Sequence, residues 1–419
     1  MPEPEPTSAR HARLLLLGDG FSAFGAWIDF LAILTLAAWQ LHVSAYEMAA
    51  VGAAGLLPGI LAAPAIGRWC DRRDPKRLLL LSIVGRIAAT AAILFCRDYA
   101  AFLALVALRS VFATVAPPAI NVMAVRAIAA AERPRFYALL NVLNNAAKVL
   151  APAIGTVSSS LSGEAVALAM SLACSVAAFA TFLFLPPRPA PSAGTAAAGA
   201  APAATGGRLL PLLWIVATCA GFVFMVNNLV PLVLQRAGLD KALLGVLVGC
   251  AGAGNLLSGL WLARRGAASR LQGALGELLR PAVAQAAGFG AIGLLLAGPR
   301  GSAPVTLPIA FFLIGTASAR YAIALNVHLS THFAASIGRV SGQIQSWQNA
   351  MILVAPMVGA VVLERLGAPA LFAFATGSAG LSFAALLAFS RASAARSRRS
   401  ASTGSARPDR PSSSSSARS

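Results

Sequence analysis

Runs of about twenty apolar residues recur along this chain, each long enough to cross a hydrocarbon layer of about 30 Å as a helix. On that ruler, spans fall near 14-40, 45-66, 78-96, 99-125, 136-161 and 164-185, then near 209-235, 241-263, 281-298, 304-328, 340-363 and 367-390. A soluble chain breaks such runs with polar residues and carries about a quarter charged residues. Here only 11% are charged. The chain therefore reads as an all-α membrane protein with twelve transmembrane helices.

The pattern divides the chain into a tail (1-13), a six-helix bundle (14-185), a Pro/Ala/Gly-rich linker (186-208), a second six-helix bundle (209-390) and a basic Ser/Arg-rich tail (391-419). The last segment has the composition of a disordered region. The whole chain's net charge of +19 does not mark a nucleic-acid binder, which would gather its basic residues on one folded face. The charge is sorted by membrane side instead. With the N-terminus inside, the inside segments hold Arg10, Arg13, five residues of the loop after the second span, Arg126, Arg133, Arg135, Arg188, Arg208, Arg264, Arg265, Arg270, Arg280, Arg339 and seven in the tail. The outside loops hold Arg97, Arg236, Lys241, Arg300 and Arg365. By the positive-inside rule, both termini and the linker are expected in the cytoplasm. No cleavable leader is expected at the start, and the scattered Cys70, Cys96, Cys174, Cys219 and Cys250 suggest neither a metal site nor a disulfide framework.

The two bundles are related. Asn145-Ala146, Ala151-Pro152, Gly155 and Gly163 recur at one shift as Asn349-Ala350, Ala355-Pro356, Gly359 and Gly367. Gly67-x-Trp69-x-x-Arg72-Arg73 recurs as Gly259-x-Trp261-x-x-Arg264-Arg265, with Asp71 replaced by Ala263. A parallel duplication of this kind places two pseudo-symmetric six-helix bundles about an axis along the membrane normal, with a cavity between them.

Gly67 to Leu78, with five basic and two acidic residues, reads as a charged loop joining the second and third spans. Its Gly67, Asp71, Arg72, Lys76 and Arg77 match within a residue the signature Gly-x-Leu-Ala-Asp-Arg-x-Gly-Arg-Lys, so the chain resembles the major facilitator superfamily. Trp69 replaces the usual Leu, and Asp74-Pro75 stands where a Gly is common, so the turn must be made differently. Leu105 and Arg109 match the fourth-span pattern. Ala151-Pro152-x-x-Gly155-Thr156 keeps part of the fifth-span antiporter pattern. Ser22-Ala23-Phe24-Gly25, Trp27 and Gln40-Leu41 resemble the bacterial exporter branch that includes siderophore and drug efflux proteins.

Ionisable groups within spans are costly and so are functional candidates. Asp29, deep in the first span, is a candidate for loading and releasing protons, with Arg109 the obvious counter-ion. The resemblance implies that Arg109 takes part in proton coupling or in balancing substrate charge. Arg86 is a further candidate of this kind, Asp19 is read as a structural charge, and His328 as an interfacial residue. Asn141, Asn144, Asn145 and Lys148 share one helical face at i, i+3, i+4 and i+7. The stripe recurs as Gln345, Gln348 and Asn349, with Ile352 in place of the lysine. A stripe present in both halves suggests a wet central cavity, and Arg320 is added as a further substrate contact. Asp71 is expected to close the cytoplasmic side, against Arg133, Arg135 or a helix N-terminus of the opposite half.

The reading is a proton-coupled antiporter of the bacterial inner membrane that exports a small polar or zwitterionic solute, such as a siderophore, by alternating access. Its partners are that solute, protons and lipid, with no cofactor and no nucleic acid. Multidrug efflux, lysolipid flipping and nutrient uptake are the rival transport readings, and a non-transporting membrane sensor is the rival of another class. No phosphate-binding loop and no catalytic motif such as HExxH or GxSxG appears, so no enzyme is expected.

Overall fold

The computed structural model describes residues 6–162, 164–186, 206–227, 229–239, 241–264, 275–298 and 303–404. They form α1 (Pro6–Thr35), α2 (Ala45–Arg72), α3 (Pro75–Phe95), α4 (Tyr99–Ala113), α5 (Ala116–Ala127), α6 (Arg133–Ser162) and α7 (Glu164–Leu183). The second half has α8 (Gly206–Asn227), α9 (Val230–Arg236), α10 (Lys241–Arg264), α11 (Leu275–Ala297), α12 (Ala303–His332), α13 (Ile337–Leu366) and α14 (Ala368–Gly404). Ten segments of the described residues are long and apolar enough to cross a membrane. The fifth and sixth rods, α6 and α7, complete the first half. α6 carries the polar stripe, and the apolar part of α7 is the shorter stretch Leu168–Leu183.

Two rods are broken where proline dictates. A proline has no N–H for the carbonyl four residues back and its ring collides with it. Accordingly α4 ends at Ala113, four residues before Pro117, and α8 ends at Asn227, four before Pro231. α5 and α9 continue these rods. The first rod finishes in a π-helical turn, Leu36–Gln40.

The charged stretch after the second span is shorter as a loop than its composition suggests. α2 runs to Arg72 and α3 begins at Pro75, leaving only Arg73 and Asp74 between them. Asp74 is the N-cap, its side chain accepting from Lys76 N at 3.0 Å, and Pro75 takes the first helical position. A capping carboxylate followed by a residue with φ already fixed starts a helix without a glycine. The last rod also differs from expectation: α14 continues through Arg391 to Gly404, where the sequence predicts an unstructured tail. Most of the linker 186-208, and residues 405–419 of the tail, lie outside the described residues.

The halves meet through α2 against α13 and α6 against α10, flanked by α5 against α13 and α6 against α12. Each second rod thus faces the fifth rod of the other half, the pairing a pseudo-two-fold axis requires. Large apolar side chains such as Phe95, Leu61, Leu294 and Leu381 stand exposed on the outside, as they must where lipid is the solvent.

Candidate functional site

At one end the halves are pressed together. Ala63-x-x-x-Gly67 on α2 meets Gly338-x-x-x-Gly342 on α13, and these small residues let the backbones touch. A Cβ on Gly67 would strike the Gly338 carbonyl, and one on Gly342 would strike the Ala63 carbonyl. Such small-residue spacing permits close helix crossing in a membrane. Asp71, one turn past Gly67, reaches across the seam: its two carboxylate oxygens accept from Gly338 N and Arg339 N, each at 2.8 Å. These are N–H groups of the first turn of α13, which lack intrahelical acceptors and carry the positive end of the helix dipole. Of the partners anticipated for Asp71, the structure supplies the helix N-terminus and not Arg133 or Arg135.

Polar contacts complete the seam. Asn121 donates to Ser341 Oγ at 3.0 Å and Ser346 Oγ donates to the Ile60 carbonyl at 2.5 Å across it, and within the first half Arg126 donates to the Asp71 backbone carbonyl at 2.8 Å. On the pseudo-symmetric side, Asp71 has become Ala263, and the lock has the opposite polarity. Arg133 donates to the Ser330 carbonyl in the last turn of α12 at 3.1 Å and also to the Val125 and Ile128 carbonyls. Partial burial holds this guanidinium below its usual pKa, with Tyr137 opposing the shift. Lys76 ties down its own half, donating to the Leu183 and Leu185 carbonyls at the end of α7 at 2.9 and 2.5 Å. Arg72 is exposed, and Arg77 pairs with Asp74 at 3.4 Å.

The seam stops partway along. On the α2 face that carries Gly67 and Ala63, a Cβ on Gly59 would strike the Asn349 amide, whereas one on Gly55 or Gly52 would meet nothing within 4 Å. On α10, Gly259 lies against Val142 and Gly252 against Val149, whereas Gly249 and Gly245 meet nothing within 4 Å among the described residues. In each series the spacings keep one helix face. The halves are therefore closed at the Asp71 end and part beyond Gly59 and Gly252, opening a cleft towards the other end.

The first half buries a chain of charges beside that cleft. Asp29 on α1 is 2% exposed and forms an ion pair with Arg109 on α4, while Thr90 donates to the same oxygen, Oδ2, at 3.3 Å. Asp29 Oδ1 is buried with no hydrogen-bond partner among the described residues. Arg86 on α3 donates to Ser22 at 3.0 Å and Ser175 at 3.3 Å and lies within electrostatic reach of both Asp19 and Asp29. Asp19 in turn accepts from Asn144 on α6 at 2.8 Å. Two carboxylates and two guanidinium groups thus balance.

Of the predicted stripe, Asn144 is spent on Asp19, and Asn145 donates to the Asn141 carbonyl at 2.8 Å. Asn141 Oδ1 and its pseudo-symmetric counterpart Gln345 Oε1 are both buried without a partner among the described residues. Asn349 packs on Gly59 at the floor of the cleft, and Gln348 is half-buried on the same helix. Lys148 lies over the Trp27 ring, 5.7 Å from its centroid. Arg320 is not brought to this stripe by any contact among the described residues: it lies over Trp261, 5.8 Å from that ring. His328 departs from the interfacial reading, being 6% exposed and stacked on His332 at 4.4 Å. Gly338, Gly342, Asn121 and Ser346 complete the seam without having been picked out in the sequence, although the two small-x-x-x-small pairs were there to be read. No group of three or more His, Cys, Asp or Glu side chains that could hold a metal ion occurs among the described residues.

Comparison with known proteins agrees with this geometry. The chain is 29% identical over 370 residues to the MFS-type transporter YfiS of Bacillus subtilis strain 168, an alignment covering 84% of this chain and 87% of that one. The crystal structure of the human organic anion transporter MFSD10 (TETRAN) superposes with a TM-score of 0.72 at 18% identity, covering 91% of this chain and all of that one. A bacterial homologue of the iron transporter ferroportin, solved in an outward-facing state, gives a TM-score of 0.72 at 14% identity over 91% of this chain and 99% of that one. The family model for the Major Facilitator Superfamily matches residues 15–356. With its paired six-rod halves and its lipid-facing apolar surface, this chain is a multi-pass membrane transporter of the major facilitator superfamily.

Proposed function

We propose that the protein exports a small polar or zwitterionic solute by proton-coupled antiport across a bacterial cytoplasmic membrane, with both termini in the cytoplasm and a siderophore as the best-fitting cargo. The observation that carries the coupling is Asp29: one carboxylate oxygen is held by Arg109 and Thr90, while the other is buried with no partner among the described residues. That oxygen is the atom on which a coupling proton would sit. Proton binding loosens the ion pair with Arg109, and that change biases the bundle between its two closures. The charge count of Lys and Arg places the Asp71 end inside, which makes the described conformation outward-facing.

For the cargo, the interior of the first half balances Asp19 and Asp29 with Arg86 and Arg109 and leaves Lys148 in addition. A surplus positive charge favours an oxygen-rich anionic or zwitterionic solute over the lipophilic cations carried by many drug exporters. The human structural neighbour is described as an organic anion transporter, a cargo class in keeping with that charge.

Everted vesicles test the reading. An imposed pH gradient drives uptake of a hydroxamate or carboxylate siderophore by the wild type, and Asp29→Asn abolishes that drive while the protein still inserts. A clear preference for lipophilic cations rejects the cargo. Gradient-driven transport unchanged in Asp29→Asn rejects the coupling role.

A further inference from the structure

Lys148 is the charge that the buried network leaves over. It lies midway along α6, fifteen residues from Arg133 at the Asp71 end, which is about 22 Å of helix rise. That depth is well inside a hydrocarbon layer of about 30 Å. The ion pairs of the described residues do not include it, and its ammonium lies over the Trp27 ring. Its side chain is nevertheless exposed. An ammonium group at such depth demands an anion or water.

Its position says which surface it faces. The next residue, Val149, lies against Gly252 of the other half at the level where the contacts of α6 with α10 end among the described residues, so Lys148 stands at the floor of the cleft. Trp27 is only two residues from Asp29 on α1, and Phe30 meets the Trp27 ring edge-on at 5.9 Å. A cation above an indole face gains from the ring quadrupole, which holds the ammonium in place before any ligand arrives. The pseudo-symmetric residue in the second half is Ile352, half-buried on α13. One side of the cleft floor is thus cationic and aromatic and the other is apolar.

We infer that Lys148 and Trp27 form a substrate subsite for an organic carboxylate with a flat unsaturated body, the carboxylate on the ammonium, the body along Trp27 and its far edge towards Ile352. This rests on the transport reading and concerns only the portion of the cargo seated here, which presents one carboxylate and a flat unsaturated body. A second charge within that portion would be pressed against the apolar side.

Calorimetry on the full chain in nanodiscs tests it without requiring transport. Salicylate and its uncharged amide, salicylamide, are the probes, since they share a ring and differ in charge. The wild type is expected to bind salicylate about tenfold or more tighter than salicylamide, the scale of one charged hydrogen bond. Lys148→Met removes that preference, Lys148→Arg restores it, and Trp27→Leu weakens both probes alike. The wild-type ratio needs no variant to fold: equal affinity for the two probes, or no salicylate binding, overturns the subsite, as does an undiminished ratio in a folded Lys148→Met protein. If efflux fails to follow a pH gradient while the ratio stands, the antiport reading falls and the subsite does not.

Discussion

Asp71 on α2 caps a helix of the opposite half, its Oδ1 accepting from Gly338 N at 2.8 Å across a separation of 267 residues. With Oδ2 on Arg339 N, one carboxylate satisfies two orphan donors and faces the positive end of a helix dipole. None of this survives separation of the halves, so the contact stabilises one closure only. That explains why an acidic residue stands here when the related turn of the second half has Ala263.

Replacing Asp71 with Asn keeps an acceptor but removes the charge. At about 1 kcal/mol for a charge at a helix N-terminus, the closed population falls about fivefold relative to the open one. Transport should slow while membrane insertion and yield stay unchanged. Spin labels on the exposed Arg72 and Arg339 positions should report a longer distance distribution; an unchanged distribution and rate would reduce Asp71 to a topological marker.

The same seam has a steric side. A Cβ on Gly342 collides with the Ala63 carbonyl, which is backbone and cannot swing aside. Gly342→Leu should therefore force α2 and α13 apart and favour the conformation open at the Asp71 end, with a larger effect than the loss of one charge. Faster labelling of a cysteine placed at Ser341 by a water-soluble maleimide is the expected result. Labelling as slow as in the otherwise wild-type background would show that the halves close by another contact.

Asp74 separates stability from gating. It caps α3 within its own half, accepting from Lys76 N, and contacts nothing across the seam among the described hydrogen bonds. Asp74→Ala should cost about 1 kcal/mol of stability, as N-cap losses do. Thermal unfolding in detergent should show the lower midpoint, while the transport rate per folded molecule is retained.

What the sequence made legible is what repeats or has a length. The rods follow from apolar runs, and the pairing of α2 with α13 and α6 with α10 follows from a duplication whose parts recur at constant shifts. Helix ends are harder to read, because Arg68 to Arg72 look like a loop in composition but extend α2 beyond the apolar stretch, where charge is no penalty. The seam was half legible: Asp71 stood out as a charge, whereas Gly338 and Gly342 act by having no side chain. Partner choice was least legible. Asn144 belongs to a polar stripe by spacing, yet only the packing of α1 on α6 shows that it serves Asp19.

The ion pair of Asp29 with Arg109 gives the most discriminating test. Arg109→Gln alone leaves a buried carboxylate without its cation, a change that costs about 3 kcal/mol or more in buried pairs. Asp29→Asn alone strands the guanidinium less severely, since Arg109 is 12% exposed at its side chain and Asp29 only 2%. The double replacement removes both charges and should recover most of the stability lost in Arg109→Gln, because neutral amides in this site can bond to each other and to Thr90. Proton-driven transport should not recover, since no titrating group remains at the position. Thermal midpoints of the four proteins, read beside pH-gradient-driven uptake, decide the matter. Restored stability together with restored coupling would show that the pair is structural and that the proton travels through another carboxylate, Asp19 being the remaining one in the buried charge chain of this half.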